Sequence, residues 1–200
     1  MKTENVALMK MARESLSGKW GLAIGTFVIY FLIVGSIQVG VRVFNPATGL
    51  IALIIAGPMA LGISIFSLAL ARNQEARLEQ IFAGFYNFGT SLAAYLLMVL
   101  FTLLWMLLLI IPGIIAAISY SLTFFILADD DTIGPMEAID KSKKMMVGYK
   151  WKYFCMGLRF LGWGILCIFT LGIGFLWLVP YMWVSLANFY DDVKANQAIQ

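Results

Sequence analysis

No histidine occurs anywhere in the 200 residues, so the chain lacks the commonest general base and the commonest metal ligand. Charge is scarce as well: 12% of residues are Asp, Glu, Lys or Arg, against about 25% in an ordinary soluble domain. A net charge of +3 is too weak for the clustered Lys/Arg face of a nucleic-acid binder. There are only two cysteines, Cys155 and Cys167, which fall about 120° apart around a helix and read as small apolar packers, not as a disulfide. The P-loop, GxSxG, HExxH and CxxC signatures are all missing. These absences point away from an enzyme and from any catalytic, cofactor-binding or metal-binding residue.

What the chain has is apolar length. It is 62% hydrophobic with a mean hydropathy of +0.88, more apolar surface than so short a soluble chain can hide. No charge falls in 20–41, 43–71, 80–128 or 160–190, runs of 22, 29, 49 and 31 residues. A membrane-crossing helix needs about 20 apolar residues. The first two runs are one span each and the third is two. Read as a single helix, the last run would be about 46 Å long, too long for a hydrocarbon core of about 30 Å. Two short spans suit it better. The mixed, polar segment 1–19 lacks the short apolar core of a signal peptide, so the first span reads as an uncleaved anchor.

The sequence also repeats. Gly18-Lys19-Trp20, Gly84-Phe85-Tyr86 and Gly148-Tyr149-Lys150-Trp151 each follow a polar, helix-like segment and precede a long apolar stretch. Their apolar stripes are Met9, Ala12 and Leu16, then Leu78, Ile81, Phe82 and Phe85 with Asn73 as N-cap, then Ile139, Ser142 and Met146 behind Pro135. A shift of 61 lays Gly113 on Gly174, Tyr120 on Tyr181, and Asp130-Asp131 on Asp191-Asp192. The expected fold is an all-α membrane protein, a six-span helical bundle made of three repeats (about 4–72, 73–131 and 132–192) in one membrane domain. Each repeat is an interfacial amphipathic helix followed by a transmembrane hairpin. The spans fall at about 20–41, 49–71, 90–111, 113–128, 153–170 and 174–190, broken at Asn45-Pro46, Pro112-Gly113 and Gly172/Gly174.

Charge placement gives the orientation. All Lys and Arg except Arg42 fall on one side of this arrangement, which the positive-inside rule makes cytoplasmic, with both termini inside. Trp20, Phe82, Phe85, Tyr149, Lys150, Trp151 and Lys152 then belong to the membrane interface, aromatics in the belt and lysines over headgroups. Small residues spaced by four mark helix packing: Gly21 and Gly25, Ala56, Ala60 and Ser64, and Gly113, Ala117 and Ser121. Arg159 is the one ionisable residue inside a span. It reads first as a side chain snorkelling to the cytoplasmic face, then as an internal hydrogen bonder or a ligand contact. The run Asp129-Asp130-Asp131 offers oxygen ligands, but no further ligand at a recognised spacing accompanies it.

The stretches IPGIIAAISYSLTFFILADD (111–130), KSKKMMVGYKWKYF (141–154), TLGIGFLWLVPY (170–181) and ANFYDDV (187–193) resemble a family of uncharacterised multi-pass membrane proteins of Gram-positive bacteria, a domain of unknown function. The likeness runs from about Ala12 to Val193. More distantly the chain resembles the membrane domain attached to some glycerophosphodiester phosphodiesterases, whose acid- and histidine-bearing catalytic domain it lacks. The resemblance implies a bacterial cytoplasmic membrane and no activity. Two functions follow. One is a non-enzymatic scaffold or accessory protein whose partners are membrane lipids and other membrane or envelope proteins; the other is a small-solute transporter or pore subunit.

Overall fold

Two turns of the same shape organise the molecule. In the computed structural model, which describes residues 3–43 and 48–197, helix α1 (Asn5–Leu16) stops at a left-handed Gly18 with φ 76°, and α2 (Trp20–Val43) begins at once. Further on, α7 (Pro135–Met145) stops at Gly148, also with φ 76°, and α8 (Lys150–Phe169) begins. Glycine adopts that backbone without the Cβ clash other residues meet. The hydrogen bonds match too: Lys19 N–H donates to the Leu16 carbonyl at 2.9 Å and Tyr149 N–H to that of Met146 at 3.1 Å. Across the first turn the chain bends by 98°.

The remaining elements are α3 (Thr48–Ala71), a 3₁₀ helix (Leu78–Phe85), α4 (Phe88–Leu108), α5 (Ile110–Tyr120), α6 (Thr123–Asp129) and α9 (Phe175–Gln197). No strand occurs among the described residues. Among the described residues, four helical stretches are long and apolar enough to cross a membrane: Ile51–Ala71, Phe88–Leu108, Ile110–Asp129 and Lys150–Phe169, with the bent pair Asn5–Leu16 and Trp20–Ser36 as a fifth if taken together. Helix α9 falls short by that measure among the described residues. Its Ser185, Asn188 and Tyr190 are buried in the bundle, where protein and not lipid surrounds them.

One core joins α6, α7 and α9, with Phe125 stacked on Tyr190 at 5.9 Å. A second joins α1, α2, α3 and α9, with Phe27 edge-on to Phe66 at 6.3 Å. Helix α9 is common to both. Helix α8 packs on α9 and α5 and leaves most of its surface outward.

Several expectations are corrected. The amphipathic stripes of α1 and α7 do not lie on a membrane surface: Ala12, Leu16, Ile139, Ser142 and Met146 are all buried against the bundle. The middle segment is a 3₁₀ helix, and Asn73 lies past the end of α3 in a left-handed conformation instead of capping a helix. Gly84 is not a left-handed turn. It permits close contact, since a Cβ there would fall 1.9 Å from the Pro58 carbonyl oxygen, and one on Gly62 would fall 1.9 Å from that of Ile81. Gly57, Gly62 and Gly84 therefore bring α3 against its neighbours, and of the small-residue stripes Gly113 lies close against Met106 of α4 and Ser64 is buried. Gly21 is exposed, with nothing within reach of an added Cβ, and Ala117 is exposed. The chain breaks at Leu109, not at Pro112-Gly113, because Pro112 sits in the first turn of α5, where a missing N–H costs nothing. The Asn45-Pro46 break and the side chain of Arg42 lie outside the described residues.

Candidate functional site

The polar groups of the molecule gather at the end of the bundle where α3, α6 and α9 finish. Arg72, just past α3, donates to Asp129 at the end of α6 at 2.6 Å. It also grips both oxygens of Asp191 on α9, at 3.1 and 2.7 Å. Asp129 further accepts from the Tyr190 hydroxyl at 3.0 Å and pairs with Lys194. Three chain segments far apart in sequence are thus tied by one guanidinium fork, the geometry arginine provides and lysine does not. Hydrogen bonding to Asp191, against some burial, holds the Arg72 guanidinium even more firmly protonated than usual.

A second clasp lies beside it. Asp192 pairs with Lys152 at 2.6 Å and accepts from the Thr3 hydroxyl. Asn5 donates to the Lys152 carbonyl at 2.8 Å. At the far end of α1 the Ser15 hydroxyl donates to the Ala71 carbonyl at 3.3 Å. Helix α1 therefore reaches from the place where the start of α8 meets the end of α9 to the end of α3. Burial alone would raise the Asp192 pKa, but the bonds from Lys152 and Thr3 hold the carboxyl below the usual carboxylate range. Deeper in, the buried Ser142 hydroxyl donates to the Ser119 carbonyl at 2.8 Å and accepts from Leu122 N–H at 3.2 Å, which satisfies the backbone where α5 gives way to α6.

Grooves open at the seams between helices. One, of about 480 Å³, lies between α2, α3 and α4, with Tyr30 and Tyr95 in its walls. A second, of about 410 Å³, lies between α5 and the α7–α8 turn, lined by Trp105, Tyr120, Lys143 and Lys150. A third, of about 740 Å³, lies between α1 and α8 over Tyr181 of α9, and carries Lys10, Arg13 and Arg159. A cleft of about 280 Å³ adjoins it, sharing Arg13, Trp163 and Tyr181 and adding Trp20 and Trp177.

The sequence-predicted residues divide among these features. Phe82, Phe85 and Trp151 face outward, Trp151 beside Phe154 at 5.5 Å. Trp20 and Lys150 are half-buried in groove walls. Tyr149 and Lys152 turn toward protein: Tyr149 is buried edge-on to Phe189 at 6.5 Å, and the Lys152 ammonium lies 5.3 Å from the Phe189 ring while it pairs with Asp192. The turn at Gly148 directs both into the bundle. Arg159 is exposed on α8, in the groove facing α1. Residues 72, 129 and 191 were visible in the sequence as charges at helix ends, but their convergence was not. The one available signal was the placement of charges of opposite sign at the ends of returning apolar runs.

Residues 1–119 and 104–197 match the family described as a protein of unknown function, DUF975. The chain belongs to this DUF975 family. No curated protein and no solved structure matches it. Membership agrees with the family resemblance of the sequence and brings no catalytic or binding residue with it. Among the described residues, no three His, Cys, Asp or Glu side chains stand where they would hold a metal ion.

Proposed function

We propose that this DUF975 protein is a non-enzymatic integral membrane protein of the bacterial cytoplasmic membrane, a scaffold or accessory protein acting through lipids and neighbouring membrane proteins. Six spans in three units, 4–72, 73–131 and 132–192, cross the bilayer with both termini and the charged clasps on the cytoplasmic side. The observation that carries the reading is the clasp of Arg72, Asp129 and Asp191. It takes one residue from the end of each unit, and it neutralises charge at a single end of apolar helices. The shared φ at Gly18 and Gly148 supports the repeat. So does the matching burial of residues 12, 15 and 16 with 142, 145 and 146, an offset of 130. The grooves also fall at successive seams: first unit with second, second with third, third with first. The middle unit differs, because its 3₁₀ helix is pressed onto α3 through glycines. As a helix shared by both cores, α9 crosses with protein around it, so it need not be as apolar as α4 or α8.

Thiol labelling tests the arrangement. In a C155A/C167A background, L171C should react with an impermeant maleimide in intact spheroplasts, and K144C only after permeabilisation. Labelling of K144C from outside would sink the orientation, and labelling of both from the same side would sink the α8–α9 hairpin.

A further inference from the structure

We infer that the groove between α1 and α8 binds an anionic phospholipid, its phosphate among Lys10, Arg13 and Arg159 and its acyl chain along Trp163 and Trp177. The inference rests on the membrane reading above and names a ligand class for it. Lys10 and Arg13 lie three apart on α1, and Arg159 and Trp163 four apart on α8, so each pair occupies one helix face across the groove of about 740 Å³. No carboxylate lines the groove or the cleft that adjoins it. Arg13 and Arg159 form no ion pair among the described residues. Lys10 meets only Glu14, at 3.9 Å with both side chains exposed, a contact of little strength.

Arg159 stands nine residues beyond the start of α8, about 13 Å along it at 1.5 Å per residue. A cation at that depth is costly without a counter-charge. An anionic headgroup supplies one, and two guanidinium forks suit phosphate oxygens. Shape selects a lipid over a soluble anion. Beyond the cations the groove opens into the cleft of about 280 Å³, walled by Trp163, Trp177 and Leu178, which a free phosphate would leave unused. The other grooves offer less. The second carries two lysines, Lys143 and Lys150, with no guanidinium fork and with the Asp140 carboxylate 3.1 Å from Lys143, and no charged residue lines the first.

Native mass spectrometry of the full chain in mild detergent, with phosphatidylglycerol or phosphatidylcholine of matched chains added, is the test. Phosphatidylglycerol should be retained preferentially, and R13Q/R159Q should weaken its retention roughly tenfold, while K143Q leaves it unchanged. R13K/R159K, keeping charge but losing the forks, should fall between. An unchanged thermal midpoint for R13Q/R159Q shows that the fold is intact, as the exposure of both arginines leads one to expect. Equal retention of the two lipids, or full retention by R13Q/R159Q, overturns the site. Displacement by soluble glycerol phosphate at concentrations matching the lipid shows a free-anion site and overturns the lipid assignment. Should maleimide labelling at positions 144 and 171 succeed while lipid selectivity fails, only this inference falls.

Discussion

At the scale of single residues, the chain places polar side chains where backbone would otherwise go unpaired. Ser142 is the clearest instance. Ser142→Ala leaves the Leu122 N–H and the Ser119 carbonyl buried without their partner, at a cost of about 1–3 kcal/mol. A lowered thermal midpoint in detergent is the expected reading, and an unchanged one would show that the α5–α6 junction closes without it. Gly148→Ala forces an alanine into the left-handed region, at about 1–2 kcal/mol. Gly134→Ala, with no positive φ and open space around its Cβ, is the matched control. The sequence disclosed Gly18 and Gly148 as a recurring motif but set Gly84 among them wrongly. A glycine required for φ and one required for backbone contact look alike until the contacting segment is known.

At the scale of elements, the helices were legible from uncharged runs, and their faces were not. The polar segments 5–16 and 135–145 show a correct stripe, but a stripe says only that a face is covered, not whether lipid or protein covers it. Proline misled once: Pro112 starts a helix instead of ending one, while Pro58 and Pro180 lie inside α3 and α9, within the expected spans. The clasp between α1, α8 and α9 has a pH consequence. A carboxyl whose folded pKa lies below its unfolded value stabilises above that unfolded value, about 4 for Asp. That stability is lost as pH falls through the folded pKa. Asp192 is such a group. Thermal midpoints in detergent should therefore drop between pH 5 and pH 3, on the order of the acid range of carboxylates. D192N, having no carboxylate there, should begin lower and fall less. Equal slopes for the two proteins would remove Asp192 from the account.

At the scale of the whole molecule, one arginine joins the ends of three helices. Arg72→Gln leaves Asp129 with Tyr190 and Lys194 and Asp191 with no guanidinium, a loss of about 1.5–3 kcal/mol for charged hydrogen bonds. Arg72→Lys should rescue only part of it, because an ammonium cannot hold Asp191 through two parallel bonds. Reconstituted protein should raise no solute flux above that of empty liposomes; measurable flux would favour the transporter reading instead. The bundle's apolar, helical character could be read from composition and from the uncharged runs. The meeting of residues 72, 129 and 191 could not, because nothing local to any one of them names the other two. Their separation along the chain also sets an order in time. Arg72 leaves the ribosome 57 residues before Asp129 and 119 before Asp191, and Thr3 leaves 189 before Asp192. Arg72 has no carboxylate partner until α6 is made and only Asp129 until α9 is made, and Thr3 waits for α9 as well. A chain stopped between α6 and α9 therefore holds that guanidinium by one carboxylate where the finished protein holds it by two, so the last helix closes a junction that the earlier ones leave half made.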